Sequence, residues 1–189
     1  MRKAGILGSA GLAGAALVWI AGCASSGAKA PQAMATIVSK SGSKVAGQAV
    51  FTQLSSGGVQ AEVWIENATP GTHGLHIHEK GDCSAPDAAS AGGHFNAAGS
   101  PHAAPVDKAR HNGDFGNIEI GADGKGHLEI TSDLLTVTPG PDSVIGRSVV
   151  FHEKADDLKT QPTGASGARY GCGVIVEIGG GNASAIRVR

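Results

Sequence analysis

The chain has 189 residues and a formal net charge of −1, enough for one domain of ordinary size. This near-neutral balance leaves no basic footprint, so no nucleic-acid partner is expected. Aromatic residues make up 4% of the chain while 30 residues are glycine, so a core must come from Val, Ile, Leu and Ala between many turns, which favours a β-sandwich or barrel over a helical bundle.

"MRK" supplies a positive start, and "AGILGSAGLAGAALVWIAG" is an apolar stretch with small residues near its end. Residues 1–22 therefore read as a signal peptide. The alternative is an uncleaved membrane anchor, for which the run is short and interrupted by glycines. "IAGC", Ile20 to Cys23, resembles a bacterial lipobox, in which the chain is cut before the cysteine and that cysteine receives lipid. Export would remove Arg2 and Lys3 and no acid, making the protein more negative. With Cys23 lipidated, Cys83 and Cys172 remain as a pair. A disulfide between them is expected in an oxidising envelope compartment, contributing on the order of 4 kcal/mol by chain entropy.

Cys23 and the small, polar "ASSGAKAPQA" after it (23–33) read as an anchor point and flexible tether. The domain proper is expected over 34–178. It opens with "ATIVS" (35–39), "VAGQAVFTQL" (45–54), "VQAEVWIEN" (59–67) and "HGLHIHE" (73–79) as β-like runs. "FGNIEI" (115–120), "GHLEI" (126–130), "RSVVFHE" (147–153) and "CGVIVEI" (172–178) follow. "VQAEVWIE" alternates cleanly, and "SSGG", "ATPG" and "ADGKG" signal hairpins or loops. The pattern predicts an antiparallel all-β domain. Residues 179–189, "GGGNASAIRVR", read as a Gly-rich tail whose "AIRVR" either stays mobile or adds to a sheet edge.

Two stretches are too long for simple turns, 80–114 and 154–171, and long loops in small domains are usually functional. In "GGHFNAAGSPHAAPVDKARHNGD", His94, His102, His111 and Asp114 lie where few apolar residues could order the chain. A metal held by three imidazoles and one carboxylate would supply that order. The alternative is a disordered, incidentally His-rich loop. In "GLHIHE", His76 and His78 stand two apart in a strand and so face the same side. His73 reads as a structural, backbone-bonded histidine and His127 as a surface one.

Taken together, His76-Ile-His78, "GGHFN", His102, "RHNGD", "GRSVVFHEKADDL" and "ARYGCGVI" resemble the copper/zinc superoxide dismutase family. The resemblance runs from about residue 35 to 178 and implies an eight-stranded antiparallel Greek-key barrel, a flattened sandwich with two long functional loops. It implies one Cu and one Zn per chain. Copper would be held by His76, His78, His94 and His152. Zinc would be held by His94, His102, His111 and Asp114, with His94 bridging the two. Arg169 would guide and dock the superoxide anion, with Lys154 and Lys159 as further cationic aids. Asp156 would join the His76 and His102 rings from behind, while its neighbour Asp157 reads as an ordinary loop acid.

The implied reaction is disproportionation of superoxide to dioxygen and hydrogen peroxide, an antioxidant role in a lipid-anchored, periplasm-facing envelope protein. Ala24 and Ser25 lack an aspartate retention signal, which favours the outer membrane. The 154–171 loop is shorter than in eukaryotic members, and Cys83 sits earlier in its loop, as in bacterial ones. Dimer contacts are therefore not carried over, and a homodimer is left open. The rival readings are a metal store without turnover, a zinc hydrolase and a purely structural module. Arg169 and His152 argue against the first, and the absence of an H-E-x-x-H helix against the second. The third would have no use for so many ordered ligands.

Overall fold

Strand β3 (Val59–Glu66) shows how the sheet arises from sequence. Its inward side chains Val59, Ala61, Val63 and Ile65 are at most 2% exposed, and the residues between them turn outward. The same alternation builds β1 (Gln32–Ser39) and β2 (Ala46–Gln53). Then come β4 (Gly71–His78), β5 (Asp114–Ile120), β6 (Gly126–Ser132), β7 (Ser148–His152), β8 (Arg169–Val174) and β9 (Val176–Ile178). The computed structural model describes Met1 and residues 30–179; Cys23 and the "AIRVR" segment lie outside the described residues.

The strand order is β5-β4-β7-β8-β1-β2-β3-β6, all neighbours antiparallel, with β9 added to β1. β5 and β6 end this order yet follow one another through the 121–125 turn, where Gly121 N–H donates to the Lys125 carbonyl at 2.8 Å. The sheet thus curls nearly shut as an eight-strand barrel. Its Greek-key character comes from two crossings, β3 to β4 and β6 to β7. Phe51, Phe151, Ile37, Leu75, Ile77, Ile118 and Ile175 are the largest fully buried apolar side chains, each contributing roughly 1.5–3 kcal/mol of transfer free energy.

Several boundaries differ from the sequence expectation. β1 starts at Gln32, with Ala33 fully buried, so the ordered domain reaches two residues into the expected 23–33 tether. Cross-strand pairing of Gln32 with Thr52 and Ile178, invisible locally, decides this. Of the two readings of "ATPG", hairpin or loop, the loop holds: it is the crossing from β3 to β4. The "CGVIVEI" run splits at Ile175, whose backbone bonds to Arg147 and Gly146 as the chain passes from β8 to β9. The second long loop closes earlier than 171, because β8 begins at Arg169.

The first long loop is tied down by the Cys83–Cys172 disulfide, which spans 89 residues of sequence with its Cα atoms 5.8 Å apart. Ala88, Ala91, Val150 and Cys172 form a small buried cluster under it, with Cys83 packed alongside.

Candidate metal centre

The ends of β4 and β7 bring three histidines into the interior. His76 and His78 are fully buried, and His152 is 3% exposed. His94 reaches them because its loop returns along β4: Phe95 N–H donates to the Ile77 carbonyl at 2.8 Å, and Glu79 N–H to that of Gly93 at 2.9 Å. This extra bridge sets the His94 ring 3.9 Å from that of His76, centroid to centroid. A side chain at Gly113 would lie 2.1 Å from the Ile77 carbonyl, so only glycine lets the loop cross β4 this closely.

Ligand atoms fall into two groups, each within 4.8 Å of one another: His76, His78, His94 and His152, and His94, His102, His111 and Asp114. All seven residues are buried, and His94 belongs to both groups. In the second, Asp114 Oδ1 lies 2.9 Å from His94 Nδ1, 2.9 Å from His102 Nδ1 and 3.2 Å from His111 Nδ1. His111 Nδ1 and His94 Nδ1 are 3.5 Å apart. Ligands around a tetrahedral zinc at its usual bond lengths stand about 3.3–3.4 Å from each other. The observed edges bracket that value, and three imidazoles with one carboxylate are a closed zinc donor set.

The first group carries a different mark. His76 Nδ1, His78 Nε2, His94 Nε2 and both ring nitrogens of His152 are buried without a hydrogen-bond partner. Each such group costs on the order of 1–3 kcal/mol if left unmade. Converging neutral imidazole lone pairs resolve this by taking a metal, and four nitrogens suit Cu(II). Burial above all keeps His76, His78 and His152 neutral. Burial, then neighbouring His94 and His152, hold His76 well below the usual histidine range. Burial does the same for His78, and lowers His152 to about 3.

In the second group the shifts run in both directions. Burial lowers His102, but hydrogen bonds to Asp156 and Asp114 outweigh it and raise the ring. Burial would raise Asp114, yet contacts from His94, the Ala103 N–H and His102 hold its carboxyl well below the usual range. His111 is lowered, chiefly by burial.

Asp156 sits behind both groups. Its Oδ2 is 2.8 Å from His76 Nε2 and its Oδ1 2.9 Å from His102 Nε2, so one carboxylate orients a ring on each side. Sequence reading missed what holds it. Asn117 bonds its backbone reciprocally, accepting from the Asp156 N–H at 2.7 Å and donating to its carbonyl at 2.9 Å. Gly164, at φ +64, covers it; a Cβ there would come within 1.8 Å of Asp156 Oδ1. Asn112, between His111 and Asp114, was also missed. It accepts from the Ala97 N–H at 2.8 Å and donates to the Leu134 carbonyl at 2.7 Å. A carboxamide inside the strand run "FGNIEI" was the one local signal available.

Arg169 pairs with His152 across β7 and β8, and its Nη1 donates to the Ala88 carbonyl at 2.7 Å. It is half-buried; burial lowers its pKa from the ordinary value while Asp87 opposes. Its charge is felt at both His78 and His152. Lys154 and Lys159 are exposed. Asp157 is also exposed, bonded to Thr160 and the Lys159 N–H. His73 lies outside both groups, its ring nitrogens 2.9 Å from the His152 and Thr69 carbonyls. His127 is exposed and stacks on Trp64.

A family model described as copper/zinc superoxide dismutase matches residues 45–175. Among solved structures, one described as the clock protein EA4 is 36% identical, with a TM-score of 0.71, over 78% of this chain and 95% of that one. The family match spans both long loops and both histidine groups, and with this architecture it places the chain in the copper/zinc superoxide dismutase family, oxidoreductases that bind copper and zinc.

Proposed function

We propose that this protein disproportionates superoxide in a bacterial envelope, two superoxide anions and two protons giving dioxygen and hydrogen peroxide. His76, His78, His94 and His152 would hold copper, and His94, His102, His111 and Asp114 zinc. When bound, copper supplies the one-electron redox chemistry and zinc a redox-inert anchor. The observation that carries this reading is His94, one ring with Nδ1 in the carboxylate-containing group and Nε2 in the all-imidazole group.

Each residue then has a task. Arg169 attracts and docks the anion beside His152, and a fixed cation in such a cleft raises association rates roughly 10–10³-fold; superoxide dismutase is a standard instance of that effect. His94 Nε2 carries one of the two protons to the reduced substrate, and solvent provides the other. Its Nδ1, beside Asp114 on the side where zinc would sit, would keep the ring's orientation. Asp156 keeps His76 and His102 in the tautomers that present Nδ1 inward.

The test is a metal count with a superoxide-consumption assay on the same sample. One Cu and one Zn per chain, with activity lost on copper removal and restored by copper, supports the reading. Full activity without copper, or metal binding without turnover, overturns it.

The envelope assignment rests on "IAGC" at Ile20–Cys23 and on the Cys83–Cys172 disulfide, which persists in oxidising compartments. Lipid on Cys23 would anchor the domain through residues 24–31. Radiolabelled fatty acid should enter the native chain and not Cys23→Ser, and labelling of both would exclude this site.

A further inference from the structure

His102 is the zinc-group histidine held most completely by a distant segment. It lies in residues 95–113, which contain neither helix nor strand, so no ladder fixes its backbone. Its ring Nε2 is bonded to Asp156 at 2.9 Å. Its peptide groups are bonded to Gln161, from the same 153–168 loop: the His102 N–H donates to Gln161 Oε1 at 2.8 Å, and Gln161 Nε2 donates to the His102 carbonyl at 2.7 Å. The remaining Nε2 hydrogen goes to the Lys159 carbonyl at 3.2 Å.

A single hydrogen bond leaves a peptide free to pivot. Two bonds from one planar carboxamide to the N–H and carbonyl of one residue fix both its position and its rotation, as a strand neighbour would. Backbone and ring of His102 are thereby referenced to one loop, which starts after His152 and ends at Arg169. We propose that Gln161 is a positioning residue for the zinc group: its two-point clasp on His102 sets how firmly zinc is retained. This rests on His102 being a zinc ligand. Gln161 is itself exposed, so the expected effect sits at the low end of what outer-sphere partners give, about tenfold in metal affinity.

The experiment uses the full metal-loaded protein and reads zinc release to a colorimetric chelator, together with the visible spectrum after Co(II) replaces zinc. Gln161→Ala should release zinc about tenfold faster and shift the cobalt bands, with copper content unchanged. Gln161→Glu keeps the acceptor for the His102 N–H but loses the donor, and should fall between. Thr160→Ala removes only an Asp157 contact one residue away, and should match the wild type. Wild-type release and spectrum in Gln161→Ala, or equal changes in Thr160→Ala, would overturn the clasp in favour of general loop loosening. If Gln161→Ala does not fold, Gln161→Glu decides: unchanged release overturns the proposal. Failure of the wild type to take up zinc or cobalt would instead overturn the ligand assignment beneath it.

Discussion

The two sides of His94 are built on different principles. On the proposed copper side, His76, His78 and His152 sit at strand ends, buried beside apolar core, and among the described residues His76 Nδ1, His78 Nε2 and both His152 ring nitrogens find no partner. On the proposed zinc side, His102 and His111 sit in irregular chain, and hydrogen bonds answer the groups around them: Asp114 by three rings, Asp156 by Asn117, His102 by Gln161. The sheet positions the first set; a web of side-chain hydrogen bonds positions the second. A strand-borne site is organised before metal arrives, whereas the loop-borne site shares its order with the metal.

The strongest test of this contrast is the residue common to both sides. His94→Ala should abolish superoxide consumption and lower occupancy of both metals, measured by metal analysis; loss of one metal alone would show the sites to be independent. Next, Asp156→Ala should weaken zinc about 10–100-fold while leaving the strand-mounted copper group able to load, read by competitive chelation. Equal loss of copper would mean that the strands do not organise their side unaided.

A smaller effect is expected at Arg169. Arg169→Glu should lower activity about tenfold, the low end of the roughly 10–10³ range for steering, and flatten its decline with added salt. An unchanged rate and salt slope would remove Arg169 from substrate capture.

The smallest effect concerns acid and the metal-free protein. His76, His78 and His152 are held below the ordinary histidine value, first by burial, so the unfolded chain takes up protons before the folded one. Stability is therefore retained above about pH 6.5 and is lost as pH falls toward about 3, the value reached by His152. His102 works in the opposite sense: raised by Asp156 and Asp114, it adds stability at low pH that fades as pH rises through its folded value. Thermal melts of the metal-free protein should fall on acidification, with the copper-side histidines dominating. A flat melting temperature from neutral pH to pH 4 would contradict this balance.

Much of the copper side was readable in advance. Strand alternation has a period of two, so His76 and His78 had to share a face wherever the strand went. His152, closing "SVVFH", was expected from the family resemblance alone, since every residue of that strand is buried and no alternation marks it. The zinc side was legible as a set of residue types but not as an arrangement. Asn117 meets Asp156 across 39 positions and Gln161 meets His102 across 59, and neither pairing leaves a local trace. Gly164 looked like any turn glycine until Asp156 lay beneath it.

The amino-acid sequence alone determined the strand faces and the order and type of the candidate ligands, because these depend on side-chain chemistry and on short-range backbone geometry; the cysteine pair was expected from counting, and the fold brought its members together across 89 residues. The tertiary structure alone decided that β1 begins at Gln32, that Ala88 anchors Arg169, and that Asn117, Gln161 and Gly164 secure the rings from behind. Those outcomes depend on hydrogen bonds between distant segments, which exist only after the barrel has brought both loops to the same end.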